Sequence, residues 1–335
     1  MSKVITGLPN PSLLLSKQHL SVIIRELQTS TKKIFQKSKL GKVFIYICLL
    51  IEGYRDAYLF DGCCVTGDVV LELVRCAHCA FALVNIRLQF SLITIALGPN
   101  HDDFLLIRSD TLQEKLTNLY SVEWIDVPVM IDVNGYEPRL CTVEEVQSVK
   151  ICLQQTFMVI RHSSPPYFPI IASPEFENVV GFPFVAGWLL GYPCVYRSSN
   201  TTQEIEKACA EDSTSSKGSA LSMAKLRKYS IHAKINDDAA LIINDRKGDN
   251  VSRKYIGSSS SSSHYDSTDI DLFEFTVPVE LVDTETDEVL EDWLSKKKKV
   301  FVLLSDSCQA DTGSIRFVES CAISVEEFTL PSVSL

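Results

Sequence analysis

Four aspartates stand where an apolar, strand-like run gives out. Asp61 follows Tyr58-Leu59-Phe60, Asp110 follows the run ending Leu105-Leu106-Ile107, Asp132 follows Val129-Met130-Ile131, and Asp306 follows Leu303-Leu304-Ser305. In open α/β sheets, ligands bind beyond the carboxyl ends of parallel strands. Carboxylates converging there would hold Mg²⁺ or work as an acid/base pair, the chemistry of a metal-dependent hydrolase or a phosphoryl-transfer enzyme. Aspartate after a strand is equally a turn residue and a helix N-cap. Position makes these four the catalytic candidates, and convergence separates a site from four unrelated turns.

Cysteine offers a second chemistry. Cys76 and Cys79 form a C-x-x-C, with Cys63 and Cys64 upstream, and four thiolates would suit Zn²⁺ in a zinc-stabilised binding module. No second C-x-x-C completes that pattern. A redox pair belongs at a helix N-terminus, where the dipole stabilises a thiolate, whereas this one falls near a predicted helix end. Buried core thiols are the competing reading. Gly62 and Gly67 have the spacing of a phosphate loop, but Asp68 stands where that loop needs Lys and would repel a phosphate. The chain holds no G-x-G-x-x-G, no G-x-S-x-G and no H-E-x-x-H. Trp188, Tyr192 and Tyr196 lie beside glycines and a Gly191-Tyr192-Pro193 turn, as the wall of a pocket or as core packing.

The elements that must position these residues alternate along the first two thirds. Residues 57–60, 91–97, 104–107 and 127–131 read as strands. Helices start at Thr66, at Asp110-Thr111-Leu112-Gln113 and at Thr142-Val143-Glu144-Glu145. The last is a full capping box, followed by the stripe Val146, Val149, Leu153, Phe157 and Ile160. Leu20, Ile23, Ile24 and Leu27 mark one face of an earlier helix that Ser16 would cap. Further on, Tyr229, Ile231, Ala233 and Ile235 alternate with Ser230, His232 and Lys234. Phe273 to Leu281 alternates in the same way, with Pro278 favouring an edge or a bulge. Residues 285–299 read as a helix with its acids first and Lys296–Lys299 last, the order a helix dipole favours, and residues 300–304 as a buried strand.

The fold class this predicts is α/β: one three-layer-like domain over residues 13–330, with a mixed sheet parallel in its N-terminal part and antiparallel in its C-terminal strands. Residues 197–219 and 236–271 are polar and Ser-rich and read as disordered loop insertions, and residues 1–12 as a flexible start.

Composition bounds the function. The 335 residues are 46% hydrophobic and 22% charged, enough apolar material for a large core. A net charge of -10 gives no bulk support for nucleic-acid binding. The longest apolar runs, residues 43–51 and 90–97, fall short of the roughly 18–20 residues that span a membrane. Eleven cysteines of irregular spacing, with Cys48, Cys152 and Cys194 inside apolar runs, read as reduced thiols. No secretory signal opens the chain. Arg25 is the sole arginine among its first 51 residues, which argues for a docked helix over a mitochondrial transit segment. The compartment expected is cytoplasmic or nucleocytoplasmic.

Several segments carry a resemblance. They are Asp56-Ala57-Tyr58-Leu59-Phe60-Asp61-Gly62, Asp132-Val133-Asn134, Pro138-Arg139-Leu140-Cys141, residues 186–196, and Ala220-Leu221-Ser222-Met223. Over roughly residues 13–330 the chain resembles the eukaryotic family named after human chromosome 1 open reading frame 74. That family has no established activity, so the resemblance implies a single α/β domain and carries over no catalytic residue. The leading expectation is an interaction or regulatory protein with an unknown protein partner, without cofactor, nucleic acid or membrane. Its rivals are the Mg²⁺-dependent enzyme and the zinc module.

Overall fold

The computed structural model describes residues 17–31, 37–60, 66–85, 88–96, 102–125, 127–133, 137–161, 167–171, 176, 179–197, 224–237, 269–307 and 318–329. The chain opens with helices α1 (Lys17–Thr31) and α2 (Lys37–Ile51), then strand β1 (Ala57–Leu59) and helix α3 (Gly67–Leu83). Strands β2 (Phe90–Ala96) and β3 (Asp102–Arg108) precede helix α4 (Ser109–Leu119). Strands β4 (Val129–Asp132) and β5 (Arg139–Leu140) lead into α5 (Val143–Arg161), β6 (Tyr167–Ile171), α6 (Phe182–Leu190) and β7 (Cys194–Arg197). Long strands β8 (Lys225–Ile235) and β9 (Asp269–Pro278), helix α7 (Thr284–Ser307) and strand β10 (Val318–Thr329) complete the described elements.

The α/β class is as expected, with parallel pairs in the N-terminal part and antiparallel strands in the C-terminal part. The strands, however, divide among three sheets of order β1-β3-β2-β6, β5-β4-β7 and β10-β8-β9 instead of sharing one. β2 pairs β6 and β4 pairs β7 in parallel, while every other pairing is antiparallel. The cause is connection length. Residues 97–101 are too short for the crossover that parallel neighbours require, so β2 and β3 must run antiparallel.

The first sheet is buried on both faces. Tyr58, Leu92, Phe104 and Leu106 join α1, α2 and α3 in one core, and Ala57, Ile93, Leu105 and Ile107 join α4, α5 and α6 in the other. Continuous apolar runs are what a doubly covered strand requires. Leu20, Ile23, Ile24 and Leu27 are all buried, as the α1 stripe predicts. The capping box of α5 forms reciprocally: the Glu145 N–H donates to Thr142 Oγ1 at 3.3 Å and the Thr142 N–H to Glu145 Oε2 at 2.8 Å. α5 is clamped to α4 by Tyr120 donating to the Gln154 carbonyl (2.5 Å) and Gln154 to the Leu119 carbonyl (2.8 Å).

Two expected elements change. Residues 300–304, read as a strand, continue α7, because Leu290, Leu294 and Phe301 are buried at helical spacing and a short apolar run has no period of its own. Lys296–Lys299 therefore lie inside the helix and not at its end. Residues 187–190, which stand before the Gly191-Tyr192-Pro193 turn, belong to α6. The proposed insertions at 197–219 and 236–271 and the start at 1–12 lie outside the described residues except at their edges. No helix among the described residues is long and apolar enough to cross a membrane.

α6 stops at Gly191, whose φ of +79° is left-handed. The Tyr192 N–H bonds back to the Gly187 carbonyl at 2.9 Å and the Gly191 N–H to the Trp188 carbonyl at 3.1 Å. A Cβ at 191 would overlap the Asp56 carboxylate. Gly191→Ala adds backbone strain to that collision and is expected to cost about 1–3 kcal/mol. Urea unfolding checks this, and a midpoint unchanged from the parent would refute the close approach.

Candidate functional site

The three strand-end aspartates that are described, Asp110, Asp132 and Asp306, do not share one sheet edge. β1 runs antiparallel to β3, with Ala57 opposite Ile107 and Leu59 opposite Leu105. The end of β1 that leads to Asp61 therefore lies where β3 begins, and Asp110 lies beyond the opposite edge. Asp61 itself is outside the described residues. Asp110 sits in the first turn of α4, where it accepts Arg108 Nε at 3.0 Å and the Thr111 N–H at 2.9 Å. Burial works against this carboxylate, but the Arg108 and backbone bonds hold it below the usual range. Asp306 falls in the last turn of α7 and follows no strand.

Asp132 does occupy the carboxyl end of a parallel pair, β4 with β7, and is buried. Its charge is already matched. Arg139, its partner across β5, donates to Asp132 Oδ2 at 2.5 Å and to both Glu145 oxygens at 2.7 and 2.8 Å. Arg197, its partner across β7, reaches Glu145 Oε1 at 3.2 Å and the Val179 carbonyl at 2.7 Å. Two acids and two arginines thus form a neutral network. Burial, with Glu145 nearby, pushes the adjacent Cys141 thiol up to about 11, which removes it as a nucleophile.

The described cysteine and aromatic candidates differ in exposure and in what they touch. Cys76 is buried in α3, Cys79 is exposed, and Cys63 and Cys64 lie outside the described residues. Among the described residues no three His, Cys, Asp or Glu side chains gather in a metal-holding group. His78, beside the pair, accepts the Phe90 N–H at 2.9 Å, and burial lowers its pKa. Trp188 is buried edge-on to Phe157 and Trp124, and Tyr192 packs on Phe273 and Phe275. Tyr196 donates to the Thr276 carbonyl at 2.8 Å and so ties β7 to β9.

A different constellation gathers where the start of β1, the end of α6 and α7 meet. Lys297 Nζ lies 3.3 Å from Asp56 Oδ2 and 4.7 Å from the Phe273 ring centre. Trp293 Nε1 donates to the Gly191 carbonyl at 3.0 Å. Burial alone would raise the Asp56 carboxyl, but Lys297, Lys115 and Arg108 outweigh it and hold the pKa down. Next along the chain, Arg55 is 8% exposed, with its guanidinium 5.1 Å from the Tyr46 ring centre and 5.5 Å from that of Phe273. Its Nε is buried without a hydrogen-bond partner. Asp56, next in the chain, is committed to Lys297. Sequence reasoning missed Arg55 and Lys297. The available signals were the charged dipeptide Arg55-Asp56 ahead of a strand and one lysine inside a run read as a solvated helix end.

Together these features define an α/β protein with two charged clusters, one neutralised and one in which the Nε of a buried arginine has no acceptor among the described residues. Residues 25–240 match the family described as Domain of unknown function (DUF4504), and the chain belongs to that family. No curated protein and no solved structure matches it.

The Asp132 network sets a pH dependence. The Arg139 hydrogen bonds hold Glu145 at about 2, against an ordinary 4.5. A carboxyl lowered on folding stabilises above its unfolded pKa and loses that contribution as pH falls toward its folded one. Glu145→Gln is therefore expected to lower the urea midpoint clearly at about pH 6 and to approach the parent by about pH 3. A gap of constant size across that range would count against the network.

Proposed function

We propose that this chain is a cytoplasmic or nucleocytoplasmic interaction or regulatory protein, built as one α/β domain, that acts by binding an oxyanion-bearing ligand at Arg55. The observation that carries the reading is the enclosed guanidinium without an acceptor on its Nε. Arginine stays protonated at every physiological pH. A buried charge without a counter-ion costs several kcal/mol, and two aromatic faces return only about 2 kcal/mol each. The group that best completes such a site is a carboxylate or phosphate, which the planar fork of Arg holds through two parallel bonds. The metal-dependent alternative draws less support, because Asp132 already spends its charge on Arg139. The narrower kinship, to the family named after human chromosome 1 open reading frame 74, belongs to this proposal. It leans on residues 56–62 and 186–196, which contribute the Asp56 and Gly191 that meet beside Arg55.

Arg55→Met separates a binding arginine from a structural one. A structural arginine destabilises the fold when lost, whereas removing an unmatched buried charge is neutral or stabilising. The expected result is an Arg55→Met protein that melts at or above the parent in ligand-free buffer. Inorganic phosphate, sulfate, acetate and succinate are then tested at constant ionic strength. At least one should raise the melting temperature of the parent and leave the variant unmoved, since a ligand at 100 times its Kd stabilises by about 2.7 kcal/mol. A strongly destabilised variant together with a parent indifferent to all four anions would overturn the proposal.

A further inference from the structure

The antiparallel sheet carries three side chains in relay on the face turned away from the core. Along β8, Tyr229, Ile231 and Ala233 face the core, so Ser230, His232 and Lys234 occupy the opposite face. There His232 Nδ1 lies 2.6 Å from Asp271 Oδ1 on β9, and His232 Nε2 lies 2.9 Å from Ser324 Oγ on β10. The register explains the meeting. Asp271 is the cross-strand partner of His232, and Ser324 stands two residues beyond Ala322, the partner of His232 on the other side. The β8–β9 ladder slips between Ile231 and His232, the kind of irregularity that re-aims a side chain. A carboxylate at Nδ1 keeps the imidazole proton there and leaves Nε2 to accept from the serine hydroxyl. β10 is an edge strand among the described residues, so alternate backbone N–H groups on its open side have no strand partner. Donors of that kind stabilise an oxyanion.

We propose that Ser324, His232 and Asp271 form an acyl-transfer site that cleaves small neutral carboxylic esters. Ser324 Oγ attacks the ester carbonyl carbon as its proton passes to His232 Nε2. The tetrahedral adduct collapses, the bond to the alkoxy oxygen breaks, and His232 returns the proton to the departing alcohol. Water then attacks the acyl-serine, gives one proton to His232, and releases the carboxylic acid as the proton returns to Ser324. Ser324 and His232 are the catalytic residues, and Asp271 is a positioning residue. Asp271 is 57% exposed, so solvent weakens its support of the imidazolium and limits the relay to an alcohol leaving group. Both flanking lysines are paired, Lys228 with Glu274 and Lys234 with Glu319, and the acids Asp269 and Glu326 stand opposite them on the same face, which disfavours an anionic substrate.

The test uses the full chain, p-nitrophenyl acetate and a fluorophosphonate that phosphonylates reactive serines with loss of fluoride. The parent is expected to take up one phosphonyl group per chain on the peptide containing Ser324 and to hydrolyse the ester. Ser324→Ala abolishes both. His232→Gln lowers the rate about 100-fold or more, and Asp271→Asn lowers kcat with KM unchanged. Each variant is compared with the parent by circular dichroism and melting temperature, while labelling of the parent needs no variant at all. A natively folded parent that is not labelled overturns the proposal, as does ester hydrolysis that persists in Ser324→Ala. In either case the three side chains are a polar cross-strand contact, and the binding role of Arg55 stands or falls separately.

Discussion

Asp56 and Gly191 approach so closely that a methyl group would not fit between them, and much of the architecture follows from that contact. Asp56 leads into β1 and Gly191 ends α6, so the contact fixes how the central sheet meets the helix on its second face. The Asp56 carboxylate then holds Lys297, and the Gly191 carbonyl accepts from Trp293. These two bonds pin the middle of α7. With α7 placed, Trp293 stands edge-on to Phe273 and Phe275, and Leu290 and Leu294 bury against the antiparallel sheet. The Asp56 carboxylate, half-buried, is held ionised by the cations beside it, so one charge pair and one absent side chain act together.

Local signals in the sequence carried as far as their physics reaches. The Thr142–Glu145 box needs only four adjacent residues, and it forms as read. Alternation in β8 and β9 survives because one face of each meets the core. β6 was missed because Pro169 interrupts a five-residue run, yet it pairs with β2 alone and so stands at an edge, where proline is tolerated. β10 was missed for a related reason. Only Val318 is fully buried along its twelve residues, so its sequence shows no apolar face. The extension of α7 through residues 300–304 was hidden because five apolar residues fit either period.

The site was less legible, since its partners come from strand neighbours that no sequence spacing announces. The rule that ligands favour the carboxyl ends of parallel strands points to the end of β4, where β4 does pair with β7 in parallel. It is silent on Arg139 and Arg197, which β5 and β7 bring to either side of Asp132. The same blindness hides the Asp56–Lys297 pair, whose members are 241 positions apart, and the His232–Ser324 contact across 92. Candidates drawn from one residue type at one kind of position therefore include Asp132 but not the arginines that surround it.

The two clusters also argue against each other's simplest explanation. A chain with 42 acidic and 32 basic residues has carboxylates to spare. It places two of them against Arg139 and Arg197 at the end of β4, on residues that are not fully buried. Arg55, the more deeply enclosed guanidinium, has no acceptor on its Nε among the described residues. Burial makes an unmatched charge more expensive, so chance mismatches belong at the surface. An open donor in the interior, beside a carboxylate committed to Lys297 and between two aromatic faces, is the arrangement that the proposed oxyanion site requires.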